Sequence, residues 1–470
     1  MKPFERTIEQ TWDDSIVPTL CRYIEIPNKS PMFDANWAAH GYMRAAVDLL
    51  ADWCRQLAMP GLALEIVELP GRTPVLFGEI AGTSPDAPTV LLYGHYDKQP
   101  EFTGWHEGLG PWTPVLRDGR LYGRGGADDG YAVFASLTAI AALQRHGSPL
   151  PRCVLLIEGC EESGSFDLPP YLAHLAPRIG TPDLVVCLDA ECGDYEHLWL
   201  SSSLRGLLLG TLEVSVLTEG VHSGLASGIV PSSFRILRGL LDRIEDATSG
   251  RLIDALHVPI DAATRANAKT VVDSLGDVIT QRYPWQPGMT PMAQDLVELV
   301  LNNTWRPTLS VTGLSGAPPV TSAGNTLRPA TSAKLSIRLP PTLDAAFAER
   351  TVRTLLEANP PYGARVRFES DGAQQGWAAP PVKPALAAAF ASASELYFNR
   401  GVRYMGMGGT IPFLKMLGDR FPNAQFMVTG VLGPHSNAHG PNEFLDIATG
   451  KRVTACVAHV LEAYAAKKTA

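Results

Sequence analysis

The chain has 470 residues, too many for one small core and, at roughly 150 residues per domain, a length for two or three domains. Hydrophobic residues make up 45% and charged residues 19%, which excludes a disordered or fibrous chain, and a net charge of −9 with scattered basic residues excludes a phosphate-backbone binder. Seven cysteines set mostly in apolar runs read as reduced thiols, and with no signal-like start or membrane-length apolar run the expectation is a cytoplasmic protein with no nucleic-acid and no membrane partner.

From Ala46 to Leu57 the apolar residues Val47, Leu50, Cys54 and Leu57 fall at helical spacing. Val90–Tyr93, Val154–Ile157 and Leu184–Leu188 are short continuous apolar runs, separated by helix-like stretches at Tyr131–Gln144 and Leu168–Leu175. Strands buried on both faces and alternating with helices predict a three-layer α/β domain with a largely parallel sheet. After Arg205 the period changes. Leu212, Val214 and Val216 alternate with polar residues, as do Leu335, Ile337 and Leu339, which is the period of a sheet with one wet face. A helix opened by Ser232, another after Pro341 and a strand near Arg365–Glu369 complete a strand, helix, strand, strand, helix, strand order, a ferredoxin-like α+β unit. The stretch from Gly250 to Pro307 interrupts that order without a readable role. Buried-strand texture returns at Phe426–Thr429, before a terminal helix Ile447–Tyr464. The expected organisation is therefore a discontinuous domain, 1–205 and 381–470, with 206–380 inserted.

Chemistry-bearing residues gather where the buried strands end, the usual position of sites in open α/β sheets. The run Val90–Leu92 leads into Gly94-His95-Tyr96-Asp97, where alternate residues of an extended segment point the same way, so Asp97 can brace the His95 ring. A glycine-rich turn delivers Asp128-Asp129, and the next strand delivers Glu161-Glu162. Adjacent carboxylates repel each other, and a bound cation is one arrangement that makes both tolerable. Asp189 ends a further strand, and the late loop Gly433–Glu443 carries His435 and His439. This set of imidazole and carboxylate groups suits two divalent metal ions, zinc first, with manganese or cobalt accepted by the same ligands. No Gly-x-x-x-x-Gly-Lys phosphate loop or Gly-x-Ser-x-Gly elbow occurs, Gly125-Gly126 and Gly408-Gly409 are too short for a dinucleotide loop, and Ser201–Ser203 reads as a turn rather than a nucleophile. Cys160, beside acids, makes a poor thiolate.

The motifs Gly94-His95-Tyr96-Asp97, Gly123-Arg124-Gly125 with Asp128-Asp129, Glu161-Glu162-Ser163-Gly164, Asp189 and His439-Gly440-Pro441-Asn442-Glu443 closely resemble, in order, those of the co-catalytic metallopeptidase family. That family includes carnosinase, cytosolic non-specific dipeptidase, aminoacylase, acetylornithine deacetylase and succinyl-diaminopimelate desuccinylase, and the dipeptidase branch is nearest. The resemblance implies a zinc-exopeptidase catalytic domain with a lid/dimerisation domain inserted. It implies His95 and Asp189 on one metal, Glu162 and His439 on the other, Asp128 bridging, and Asp97 orienting His95. Glu161 would be the general base toward a metal-bridging hydroxide. His222 would reach the partner subunit's site in a homodimer to stabilise an oxyanion, and Arg338, Asn325 and the loop Gly408-Gly409-Thr410 would hold the substrate, the arginine gripping its carboxylate. His439 is preferred to His435 because Asn442-Glu443 follows it, and Gly130 stands where the family often has lysine. The expected activity is hydrolysis of dipeptides or short peptides with a free C-terminus; the alternative is an N-acyl-amino-acid amidohydrolase using the same site.

Overall fold

The computed structural model describes residues 3–466 and resolves the chain into two compact units. One takes the chain up to Ser202, Ala379–Met405 and everything from Met416 onward; the other is Ser203–Ala378 with Gly406–Lys415. The last segment is a difference from the sequence reading, which left all of 381–470 in the first unit. Gly406 is the reason the segment can sit where it does: a Cβ there would stand 2.7 Å from the Ser203 hydroxyl and 2.9 Å from Thr304 Cβ, both in the second unit.

The first unit is built on a six-stranded sheet, in order Ala63–Val67, Val75–Ile80, Arg152–Glu158, Thr89–His95, Leu184–Cys187 and Gln425–Val428. The last four run parallel, while the first two form an antiparallel edge that the sequence analysis does not resolve. Alternate strand residues explain the layers. Val90, Leu92, Leu155, Ile157, Leu184 and Val186 pack into one core with the helices Tyr42–Gln56, Tyr131–His146, Pro384–Phe398 and Ile447–Ala465. Leu91, Tyr93, Val154 and Leu156, pointing the other way, are equally buried, as are Leu168, Tyr171 and Leu172 of the helix Leu168–His174. With both faces covered, the strands read as unbroken apolar runs.

The second unit carries a four-stranded antiparallel sheet in the order Thr308–Ser315, Ala330–Leu339, Gly206–Ser215, Arg365–Gln374, the ferredoxin-like arrangement. Burial alternates strictly along Ala330–Leu339, so Leu335, Ile337 and Leu339 enter a core with Ile236, Leu237 and Leu240 of the helix Ser233–Leu241 and with Val352 and Leu356 of the helix Ala345–Glu357. Ser232 and Asp344 start these helices by accepting the Arg235 and Phe347 N–H groups at 3.4 and 2.7 Å. The stretch 250–307 holds a 3₁₀ turn, Asp254–Leu256, and three α-helices, Ala262–Leu275, Val278–Gln281 and Leu296–Thr304. Ser201–Ser203 lie within a strand, Trp199–Leu204, and not in a turn: flanked by Trp199, Leu200 and Leu204, all buried, they form part of an extended apolar segment. Among the described residues no helix is long and apolar enough to cross a membrane.

Candidate metal centre

His95 is the last residue of its parallel strand, and its orientation is set from behind. Its Nδ1 faces the Asp97 main-chain carbonyl at 3.1 Å and the Asp97 carboxylate at 3.4 Å, which turns Nε2 toward Asp128 Oδ1 at 3.2 Å and Asp189 Oδ2 at 3.7 Å. Asp97 does more than brace the ring. Its two carboxylate oxygens accept the N–H groups of Glu161 and Glu162, each at 3.0 Å, so one buried acid fixes both the imidazole and the turn Glu161–Ser163.

The other oxygen of Asp128, Oδ2, lies 3.0 Å from His439 Nε2, which in turn lies 3.3 Å from Glu162 Oε2. Two clusters result, His95 with Asp128 and Asp189, and Asp128 with Glu162 and His439; within each, the donor atoms all fall within 4.8 Å of one another. Donors about 2.0–2.1 Å from a tetrahedral ion stand about 3.3 Å apart. The measured separations of 3.0 to 3.7 Å bracket that spacing, and the imidazole and carboxylate donors are the types that divalent zinc, manganese or cobalt accepts. The residues therefore fit two divalent ions sharing Asp128. His435, exposed in the same loop, joins neither cluster.

The electrostatics point the same way. Burial, with Asp128 next, raises the Glu162 carboxyl to about 8, and burial raises Asp189 to about 6 with the charge of Asp128 adding to it. Burial likewise pushes Glu161 well above the carboxylate range, reinforced by Asp189, Glu162 and Asp97. For His439, whose side chain is 53% exposed, partial desolvation disfavours the cation, but Glu162 and Asp128 outweigh it and raise the ring to about 10. So many acids gathered in one place call for positive charge among them. Cys160 is raised first by burial and then by Asp97, which keeps it a thiol.

Two neighbours escaped the sequence reading. Gln99 donates to Glu162 Oε2 at 2.6 Å, and the repeat of two from Asp97 along an extended segment is the signal that could have found it. Lys98 is wholly buried; its Nζ donates to the carbonyls of Tyr23 and Ile26 at 2.7 and 2.8 Å and lies 3.9 Å from the Tyr23 ring centroid. Gly130, where the family often has lysine, has no room for any side chain: a Cβ would stand 2.4 Å from the Tyr23 ring and 2.5 Å from the Gly125 carbonyl oxygen.

In the second unit the remaining candidates form two groups. His222 and Asn325 sit together on a short ribbon, where His222 pairs with Thr326 and the Ser223 N–H donates to the Asn325 carbonyl at 2.9 Å. Both are exposed, and His222 Nδ1 accepts the Gly224 N–H at 3.1 Å. Arg338, half-buried, donates to Thr410 Oγ1 at 3.1 Å, and Thr410 donates to the Arg205 carbonyl at 2.6 Å. Arg205 holds the group together: Nε donates to the Gly408 carbonyl at 3.1 Å, and Nη1 to Thr308 Oγ1 at 3.1 Å and to the Asn302 carbonyl at 3.3 Å. A Cβ on Gly409 would meet nothing within 4 Å. Arg205 is 6% exposed, and burial with the charge of Arg338 lowers it to about 10. Neither guanidinium has a carboxylate partner among the described residues, which suits the pair to an anionic ligand.

Known proteins are similar to this chain in sequence and in fold. Residues 91–463 match the peptidase family M20/M25/M40. A cysteinylglycine-S-conjugate dipeptidase of Corynebacterium striatum is 29% identical over 392 residues, 81% of this chain and 82% of its own. A beta-Ala-His dipeptidase of Mus musculus is 30% identical over 297 residues, 61% of this chain, and the match spans only 58% of that relative. The fold is similar to that of human carnosine dipeptidase 1, with a TM-score of 0.78 at 22% identity over 98% of both chains.

Proposed function

The chain belongs to peptidase family M20/M25/M40 and is a metallopeptidase, and on that premise we propose that it hydrolyses the amide bond of dipeptides or short peptides bearing a free C-terminal carboxylate. The observation that carries the reading is the pair of donor clusters sharing one carboxylate, Asp128, with Glu161 beside them. His95 and Asp189 would hold one ion, Glu162 and His439 the other, and Asp128 both, zinc being the first candidate. Bound there, the two ions supply Lewis-acid chemistry, polarising the scissile carbonyl and acidifying water.

The chain's own groups do the rest. Glu161 takes the proton of the attacking water as the new C–O bond forms and delivers it to the nitrogen as the C–N bond breaks. Asp97 keeps Glu161 in place through the backbone N–H it accepts, and keeps the His95 ring turned. Arg338, supported by Thr410, grips the substrate carboxylate, with Gly408, Gly409 and Asn325 as further contacts. His222, exposed on its ribbon, donates to the developing oxyanion in the partner subunit's site, so the working form is a homodimer through the inserted unit, which acts as lid and dimerisation domain beside a catalytic domain. The seven thiols, six of them buried, support a cytoplasmic setting.

The names of the two dipeptidase relatives support the choice of substrate. Its test is a panel of dipeptides, β-alanyl peptides, dipeptide amides and N-acetyl- or N-succinyl-amino acids, assayed with zinc, manganese and cobalt. Turnover of dipeptides with free carboxylates is expected. Turnover of acyl-amino acids alone would make the protein a deacylase with the same site.

A further inference from the structure

The two metal positions are not held in the same way. His95 and Asp189 are buried at strand ends. His439 stands on a surface loop with its side chain 53% exposed, and four non-glycine residues of that loop, His435, Asn437, His439 and Asn442, have φ of 66, 54, 63 and 62°. A loop in that conformation keeps its shape only where its surroundings over-determine it. The His106 N–H, donating to Asn442 Oδ1 at 2.7 Å, is one such constraint, and a buried ion pair between residues 319 apart in sequence is another.

Glu443, fully buried at the end of the loop, pairs through one carboxylate oxygen with the Arg124 guanidinium and accepts the Gly125 N–H at 2.8 Å with the other. Arg124, 1% exposed, also donates from Nη2 to the Gly440 carbonyl at 2.8 Å, one residue past His439. The main chain adds a fourth tie, from the Gly123 N–H to the Glu443 carbonyl at 3.0 Å. The late loop is thus fastened to the turn that carries Asp128. That turn is itself immobilised at Gly125, whose φ is 82° and whose Cβ, were there one, would stand 2.6 Å from Lys98 Cε. Removing either charge would leave the other buried and without its ionic partner. Among the described residues, neither His95 nor Asp189 bonds to Arg124 or Glu443.

We propose that Arg124 and Glu443 are positioning residues that assemble the second metal position, so that affinity for the ion held by His439 and Glu162 depends on this latch while affinity for the ion held by His95 and Asp189 does not. The inference rests on the ligand assignment made under Proposed function. Outer-sphere partners of this kind typically contribute 10–100-fold to metal affinity.

The test is a titration of chelator-stripped full-length protein with zinc alone, read by calorimetry against a competing chelator and by elemental analysis. Glu443→Gln, close in shape to the native residue, should weaken one of two bound ions by about 10–100-fold and leave the other within about threefold. His439→Ala should weaken the same ion, and Glu443→Gln should add nothing in the His439→Ala background, a non-additivity that general loss of stability would not produce. The proposal is overturned if Glu443→Gln weakens both ions alike or neither, or if its effect persists undiminished without His439. Should Glu443→Gln not fold, Arg124→Lys, which keeps the charge but cannot reach Glu443 and Gly440 together, takes its place in the same cycle: selective weakening of one ion supports the latch, and equal weakening of both, or of neither, overturns it. Wild-type protein that binds fewer than two zinc ions would overturn the ligand assignment, and the latch with it.

Discussion

The two units organise their functional candidates by opposite means. In the first, His95, Asp97, Asp128 and Asp189 are buried, His95 faces the carboxylates of the other three, and Asp97 alone contacts His95 and the backbone of both Glu161 and Glu162. In the second, His222 and Asn325 are exposed on a short ribbon, and Arg338 belongs to a group in which buried positive charge meets only hydroxyls and carbonyls. A closed network of mixed charges can set reactivity, whereas a cationic group with no internal counter-charge waits for an anion from outside. Changes in the first unit should therefore fall on kcat or on metal content, and changes around Arg338 on KM.

The largest effect tests the first half of that contrast. Glu161→Gln should retain its metals and lose about 10²–10⁴-fold in kcat; near-normal turnover would remove Glu161 from proton transfer. His222→Ala comes next, with about a 10²–10³-fold loss in kcat, the size expected for one oxyanion donor. Because that donor would serve the partner subunit, mixing inactive Glu161→Gln and His222→Ala proteins should restore measurable activity in heterodimers. No recovery after confirmed subunit exchange would place His222 outside the reaction. Arg338→Ala should be smaller, about 2 kcal/mol or roughly 30-fold in kcat/KM, carried by KM. The same variant should no longer distinguish a dipeptide from its C-terminal amide, and an unchanged preference would break the assignment of the carboxylate to Arg338.

Legibility in the sequence followed the same division. His95 with Asp97, and Glu161 with Glu162, are readable because each pair follows a short apolar run, where chain direction and strand period dictate what can meet, and Asp128 because a glycine-rich turn delivers it ahead of a helix. The ferredoxin-like order was legible because the alternation of Leu335, Ile337 and Leu339 is strict. Other features have no local mark. The antiparallel edge of Ala63–Val67 and Val75–Ile80 mixes exposed, half-buried and buried positions without a clean period. Gly406–Lys415 joins the second unit through close backbone packing that composition does not record. Arg124 with Glu443, and Arg205 with Gly408 and Thr308, are bonds between residues about one hundred or more positions apart, and a lone arginine beside an apolar strand gives no hint of them.

The smallest effect is the sharpest test of the contrast, because it concerns a residue that need not touch the substrate. Arg205 spreads its guanidinium over Gly408, Asn302 and Thr308, and its carbonyl anchors the Thr410 hydroxyl that receives Arg338. Lysine keeps the charge but not the planar fork, so it can serve one of these directions and must abandon the others. Losing about 1 kcal/mol of net hydrogen bonding predicts a rise of about fivefold in KM for Arg205→Lys with kcat nearly unchanged. Since Arg205 would act by holding Thr410 and Arg338, the substitution should have little further effect once Arg338 is alanine. Steady-state kinetics on the single and double variants decides it: a fall in kcat alone, or full additivity with Arg338→Ala, would mean that Arg205 supports something other than carboxylate binding and that the group around Arg338 does not serve recognition alone.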